Sequence, residues 1–409
     1  MKKKTKQQTK TKIKIGPKNS LSRILNSRSD IDKQCKIAVI GVGGGGSNAI
    51  NALIKNNIKD ITTIAYNTDS QALENSNAEI KTQIGPQVTK GHGAGSNPEV
   101  GKLAAQESKE EIQKHLEGVH VAFILAGMGG GTGTGAVSEI GKMAIEKGIL
   151  TIGLVTTPFE FEGEVRSQIA QKGLKQFESN CDILIVIGNE KLCNISDEEI
   201  TFLNAFELTD NVLCKALKSF IQTIKETSRI NIDVSDFFTI MKGKKCRAII
   251  GTGSAKGPDK AIIAAQNALN NPLLEDGNVN AEAIDGVIIS IRCGNDSMLT
   301  DINQAVEQIK NSVSNQAQII FGAHVDESMD ESIQVSVFAT INGNINKNQE
   351  KFDYKISDTD LIGQPHSNHI NEEGENFKVK KNEPNFFQKI INLFIKTKED
   401  NDEDKPTFL

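Results

Sequence analysis

Residues 126–135, Ala-Gly-Met-Gly-Gly-Gly-Thr-Gly-Thr-Gly, follow directly on the apolar run 121–125. Such a run reads as a strand buried on both faces of a parallel sheet, and Ala136, Val137, Ile140, Met143 and Ala144 beyond it recur at helical spacing. The glycines therefore occupy a strand-to-helix turn. Without Cβ atoms the backbone there can curl until several N–H groups and the helix N-terminus point at one anion, and Thr132 and Thr134 add hydroxyl donors. That chemistry is phosphate binding. A flexible glycine linker, the plainer alternative, does not sit between a buried strand and an amphipathic helix.

Two further glycine-rich turns follow earlier apolar segments. Gly41-x-Gly43-x-x-Gly46, continuing through Ser47 and Asn48, comes after an apolar segment at 36–40, and Asp69 ends the next one. Alone, this set satisfies the dinucleotide fingerprint, in which one turn holds a pyrophosphate and the acid takes a ribose hydroxyl. The third turn, Gly91-His-Gly-Ala-Gly-Ser-Asn-Pro98, changes that reading. Parallel strands place all three turns at one carboxyl edge of the sheet, where a triphosphate fits better than a dinucleotide. No Gly-x-x-x-x-Gly-Lys-Ser/Thr occurs, so there is no P-loop lysine. The phosphate charge then falls to amides, helix dipoles and a magnesium ion held mainly by phosphates and water, with no metal-binding side chains assigned.

Three side-chain groups add candidate chemistry, each with a plainer reading beside it. Phe206 and Asp210 lie four apart, on one helix face, and suit stacking on a base and reading an amide-plus-amine edge; a core Phe beside a surface Asp has the same spacing. Glu162 and Arg166 suit ribose or base contact, or an exposed ion pair. Asn231-x-Asp233-x-x-Asp236 brings an amide and two carboxylates to a helix start, able to orient a water for attack on a γ-phosphoryl group; equally, Asp233 and Asp236 can be a helix cap. Between Phe206 and Asp233 runs a long helix, about 30 Å for roughly 20 residues. The acidic loop therefore cannot reach the nucleotide of its own chain, and if catalytic it serves another subunit.

The elements that must position these residues alternate. Strands are expected at 36–40, 61–66, 121–125, 150–155 and 183–187, with helices between them, a loop-rich stretch at 79–99 and one helix at about 98–116. Residues 203–224 repeat apolar side chains at three- and four-residue steps without Gly or Pro, a single long helix. Strands at 247–251, 286–292, 318–321 and 332–340 then indicate a second α+β unit. The fold class is α/β, a doubly wound, mostly parallel sheet followed by that unit. The expected domains are a basic arm (1–34), a nucleotide-binding domain (35–202), the central helix (203–227), an α+β domain (228–343), a linker (344–385), a short amphipathic segment (386–396) and an acidic tail (397–409).

The chain has 409 residues and a formal charge of −5, which argues against nucleic acid as the partner of the whole chain. The basic arm suits acidic lipid or nucleic acid, or is a solvated tail. Its six cysteines form no metal-binding spacing and read as reduced thiols of a cytoplasmic protein. No apolar run reaches the length of a membrane span. The segment at 386–395 carries Phe386, Phe387, Ile390, Ile391 and Phe394 on one helical face and suits either partner or membrane docking or packing within the chain.

Taken together, Gly127 to Gly135, Gly41 to Asn48, Asn67-Thr68-Asp69, Gly93 to Pro98, Pro158 to Arg166, Ala205-Phe206 with Asp210, Asn231-x-Asp233-x-x-Asp236 and Pro272 to Asp276 resemble the FtsZ family of bacterial tubulin-like cell-division GTPases. The resemblance covers about 35–341. It implies a tubulin/FtsZ-like fold, GTP and GDP as ligands, and head-to-tail protofilaments in a ring at the midcell division site, on the inner face of the membrane. It implies nucleotide contacts from Gly43, Gly44, Gly45, Gly46, Ser47, Asn48, Ala94, Gly95, Ser96, Gly130, Gly131, Thr132, Gly133, Thr134, Glu162, Arg166, Asn189, Phe206 and Asp210. Asn231, Asp233 and Asp236 would complete the neighbour's GTP site as catalytic residues. Asp404-Lys405-Pro406-Thr407-Phe408-Leu409 is similar to the family's tail peptide, which implies that Asp404, Pro406, Phe408 and Leu409 bind membrane tethers and division regulators. Departures from the pattern are Ser228-Arg229 for a usual Gly-Leu, Gly188 for a proline and Asn204 for an acid. Two other readings make different predictions: a polymer-forming relative with little hydrolysis, and a nicotinamide-dependent oxidoreductase built on the first glycine turn.

Overall fold

A computed structural model describes residues 35–190, 192, 201–225, 230–270 and 283–341. The basic arm, the linker, the segment at 386–396, the tail peptide, Ser228-Arg229 and 272–276 lie outside the described residues.

Alternating apolar strands and amphipathic helices build one ten-stranded sheet, in the order β3-β2-β1-β4-β5-β6-β7-β10-β8-β9. Strands β1 (Ile37–Val42), β2 (Thr62–Asn67), β3 (Ile80–Gln83), β4 (Val121–Gly127), β5 (Leu150–Thr157) and β6 (Ile183–Gly188) pair in parallel. Buried on both faces, β1 and β6 show six consecutive buried residues each, as continuous apolar runs require. Strands β7 (Cys246–Lys256), β8 (Ile284–Cys293), β9 (Gln318–Val325) and β10 (Ser332–Ile341) extend the same sheet. The two halves meet over a parallel pairing of just Ile183 with Cys246 and Leu184 with Arg247. Beyond it β10 lies antiparallel between β7 and β8, and β8 pairs in parallel with β9.

The crossover helices that matter to the site are α1 (Gly43–Lys55), α2 (Pro98–Glu107), α3 (Thr132–Glu146), α4 (Glu164–Glu178), α5 (Phe202–Lys225) and α6 (Val234–Met241). Helix α5, with 24 residues, is the longest. Its apolar stripe (Leu213, Ala216, Leu217, Phe220, Ile221) closes one face of the sheet, and Phe220 packs on Phe123, Phe237 and Phe338. Thus one side chain joins β4, α6 and β10 in one core. The opposite face of the parallel strands is covered by α2, α3 and α4. A third cluster lies under α7 (Lys260–Leu269) and α8 (Leu299–Lys310), on β8 and β10.

Two expectations change. The stretch 79–99 is not all loop: Ile80–Gln83 joins the sheet edge as β3, too short and too polar to announce itself, and Pro86–Thr89 is a single helical turn. The helix expected over 98–116 is two helices. Ser108 interrupts it because its buried hydroxyl accepts the Gly85 N–H at 3.0 Å, and a second helix resumes at Lys109–His115.

Candidate nucleotide site and acidic loop

The turns that leave β1 and β4 meet the turn that leads into α2, and the three touch through their backbones. A Cβ at Gly43, which has φ +72°, would lie 2.9 Å from the Gly133 amide nitrogen. One at Gly45 would lie 3.0 Å from the Gly127 nitrogen, and one at Gly131 2.8 Å from Ala94 Cβ and from the Asn97 nitrogen. The three glycine turns read from sequence are therefore a single surface, packed closer than any side chain allows. Gly44, Gly95 and Gly130 instead have open space where a Cβ would stand, so the surface presents bare backbone there.

Helices α1 and α3 start at this surface with no side-chain cap, leaving their first N–H groups to a ligand. Ser47 Oγ, buried near the start of α1, has no hydrogen-bond partner among the described residues. These features fit a polyphosphate: uncapped helix dipoles, approachable amides and an unspent hydroxyl. Asn48 is exposed beside them, as are Gly95 and Ser96, the latter at φ +59°. Ala94 is buried under Gly131.

The two threonines of the central turn divide their roles. Thr132 Oγ1 lies 2.6 Å from Thr68 Oγ1 and remains partly accessible. Thr134 is only 1 % exposed, and its Oγ1 accepts the Gly129 N–H at 2.8 Å. The structure thus turns Thr134 inward to hold the loop, where the sequence suggested a hydroxyl offered to phosphate. Asp69 caps the helix Ser70–Glu74, its Oδ1 accepting from the Gln71 and Ala72 N–H groups at 2.9 and 3.1 Å. The acid on which a dinucleotide reading depends thus has a structural role at a helix end.

A second group gathers where α5 begins, next to the ends of β5 and β6. Phe206, 37 % exposed, meets the edge of buried Phe159, whose other neighbour is the exposed ring of Phe161. Asn189, which follows the last residue of β6, accepts from Thr209 Oγ1 at 3.1 Å, which fixes it against α5 at the residue before Asp210. Burial, and then the nearby Glu207, push the Asp210 carboxyl up to about 6. A half-buried carboxylate held at such a cost suits an amide-plus-amine edge that would stabilise its charge. Thr209 was not foreseen, because a threonine inside a helix carries no periodic signal. Glu162 and Arg166 form the exposed ion pair that their spacing also allowed, at 2.6 Å, while Glu162 Oε1 accepts the Phe159 N–H at 3.0 Å.

The acidic loop lies at the other end of α5. Twenty-four residues put about 36 Å between the two ends of that helix. Asp233 caps α6 by accepting the Asp236 N–H at 3.0 Å, and Asp236 returns the favour to the Asp233 N–H at 2.9 Å. The cap expected as the plainer reading is therefore present, and it leaves Asp233 half-buried at the loop's end. Burial, as the largest of several influences, raises the Asp236 carboxyl above its usual range. Asn231 is exposed. The structure thus brings the phosphate turns together, brings Asn189, Phe206 and Asp210 together, and holds Asn231, Asp233 and Asp236 apart from both.

Similarity to known proteins agrees with this division. Residues 36–197 match the GTPase domain of the Tubulin/FtsZ family, and 246–342 match the FtsZ family C-terminal domain. Cell division protein FtsZ 2 of Rhizobium meliloti is 45% identical over 294 residues, which is 72% of this chain and 84% of that protein. Cell division protein FtsZ of Pseudomonas aeruginosa is 44% identical over 300 residues, 73% of this chain and 75% of that one. Among solved structures, an empty FtsZ dimer from M. jannaschii superposes with a TM-score of 0.69 at 34% identity, covering 79% of this chain and 92% of that one. With both family domains matched in order on a surface of bare glycine backbone, the chain belongs to the FtsZ family and is a tubulin-like GTPase that binds guanine nucleotide.

Proposed function

We propose that the chain is a cell-division protein that polymerises head to tail and hydrolyses GTP between adjacent subunits, in a ring at the cytoplasmic face of the division site. The observation that carries this reading is the separation of the two sites by the full length of α5. An oriented amide and two carboxylates so far from the phosphate turns act on a triphosphate only when it belongs to another copy. Exposed apolar side chains at both ends support the same contact: Phe161 and Val165 near the base site, and Ile230, Phe321 and Val325 near the acidic loop.

In this reading the turns at Gly43 to Asn48, Ala94 to Ser96 and Gly130 to Thr132 bind the phosphates. Phe206 stacks on guanine, Asp210 reads its edge, and Asn189, Glu162 and Arg166 line the sugar and base. Magnesium, which retains several waters, is held mainly by the phosphates, where it would offset their charge. The neighbour's Asn231 and Asp233 orient the attacking water, with Asp236 fixing Asp233. Chemistry of this kind needs position and charge more than covalent help. The domain limits at 35–202, 203–227 and 228–343 follow the same division of labour. The tail peptide Asp404 to Leu409 is the docking segment for tethers and regulators.

Asp233→Ala tests the shared site. GTP turnover should fall by at least about 100-fold, on the scale of losing a positioned catalytic group, while the isolated subunit binds GTP as before. Turnover unchanged at polymerising concentrations, with assembly followed by light scattering, would exclude the shared-site mechanism.

A further inference from the structure

We infer that Gly322, in the edge strand β9, is a positioning residue for GTP hydrolysis: its missing side chain lets the Ile230–Ile232 stretch seat on β9 and thereby sets where Asn231 and Asp233 point. The inference rests on the shared-site reading above and names the contact that aims its acidic half.

Strand β9 ends the sheet, paired to β8 on one side only. Its outer edge is met by Ile230, which forms an isolated antiparallel bridge with Ala323, the Ala323 N–H donating to the Ile230 carbonyl at 3.0 Å. Gly322 is the one fully buried position of the strand. What covers it is the acidic loop itself. A Cβ at Gly322 would stand 2.6 Å from Ile232 Cγ1, 2.9 Å from Ile232 Cδ1 and 2.9 Å from the Ile230 carbonyl oxygen.

Ile232 is 2 % exposed and belongs to the core under α5 and α6, so it has little room to retreat. The residue between these anchors is Asn231, and the residue after them is Asp233, the cap of α6. With Ile230 bonded to β9 and Ile232 pressed against Gly322, the backbone of Asn231 is held from both sides. Any side chain at 322 must push the loop off the strand at the point where its direction is set. No phosphate-binding residue contacts this position, so the effect should fall on turnover and spare nucleotide binding.

The test uses the full chain and three variants. Gly322→Ala should lower kcat for GTP at least about tenfold, with the GTP affinity of the unassembled subunit unchanged within about twofold, because a misplacement near one ångström costs rate and not binding. Gly322→Ala combined with Ile232→Ala removes both side-chain atoms that the new methyl meets. The double variant should recover part of the kcat shown by Ile232→Ala alone, since the 2.9 Å approach to the Ile230 carbonyl oxygen remains. Recovery supports the inference; a double variant that folds and binds GTP as the parent does yet recovers nothing overturns it, as does a Gly322→Ala protein with undiminished kcat. Asp233→Ala, assayed in parallel, separates the two claims. If it keeps full turnover the shared-site reading fails, whereas if it loses turnover and Gly322→Ala does not, only the role of Gly322 fails.

Discussion

The two ends of α5 solve opposite problems. At the phosphate end, backbone must lie bare and close, and glycine does this locally: the turns after β1 and β4 each join a strand to the helix that follows it, the third leads from the Pro86–Thr89 turn into α2, and they meet at one edge of the parallel strands. At the acidic end, side chains must be aimed. That requires anchors from far along the chain: β9 for Ile230, the core beneath α5 for Ile232, and Asp182 for the turn after α6. Asp182 is buried and accepts the Thr151 N–H at 2.9 Å and the Gly243 N–H at 2.8 Å, tying the helix of the acidic loop to β5. A binding surface made of main chain is specified by local composition, while a catalytic loop is specified by tertiary contact.

The sharpest way to break this contrast is within the phosphate end. Gly133→Ala would place a Cβ 2.7 Å from the Gly127 carbonyl oxygen, backbone against backbone within the central turn, so that turn must open and its amides move. We expect GTP affinity to fall by more than about 100-fold, the scale of losing several phosphate hydrogen bonds. Gly44→Ala is the control. It lies in the first turn of α1 with nothing within 4 Å of the added methyl, so the free protein should keep or slightly raise its Tm. The methyl stands over the backbone proposed to meet the phosphates, however, and affinity should still fall. Equal Tm losses in the two variants, read by thermal unfolding beside nucleotide titration, would contradict the picture of one packed glycine surface and one open one.

The next effect lies at the acidic end. Asp182→Ala leaves the Gly243 and Thr151 N–H groups without their partner, and a buried unsatisfied group costs about 1–3 kcal/mol. Unfolding in denaturant should show a loss of about 2–4 kcal/mol, with turnover reduced further than stability alone explains because α6 loses its tie to β5. GTP binding by the unassembled subunit should change little. If binding fell as far as turnover, the two ends would be one cooperative unit and the contrast would dissolve.

Much of the phosphate end was legible in the sequence, and the reason is physical. Continuous apolar runs, glycine turns and helical periodicity are local signals, so β1, β2, β4, β5, β6 and α5 fall close to their expected bounds. What could not be read depends on partners distant in sequence. Thr134 and Thr132 are two residues apart and alike in composition, yet one hydroxyl serves Gly129 and the other faces Thr68. Strand β3 exists because β2 offers it an edge, and Ser108 breaks its helix because Gly85 needs an acceptor. Nothing near Gly322 in sequence marks it as the seat of a loop 90 residues earlier.

The smallest effect concerns Asp210, where the comparison can be sharpened by pH. Its carboxyl is raised to about 6 by burial and by Glu207. The sign follows from linkage: between the unfolded value near 3.8 and about 6 the native state holds more protons than the unfolded one, so stability from this group falls as pH rises through that window. Above it, the nucleotide-free protein carries an ionised, half-buried carboxylate at a cost. Asp210→Asn removes that cost, so its free form should melt a few degrees higher than the parent at pH 7.5, with the difference shrinking as pH falls and vanishing well below 3.8, where both states of the parent are protonated. Guanine nucleotide binding should weaken in the same variant by about tenfold, the worth of one charge-assisted hydrogen bond pair in a partly open site. Paired melting curves with and without GDP at the two pH values would show the charge being held in readiness for the base. A variant that melts lower than the parent at pH 7.5, or binds GDP equally well, would place Asp210 with the structural carboxylates such as Asp182 instead.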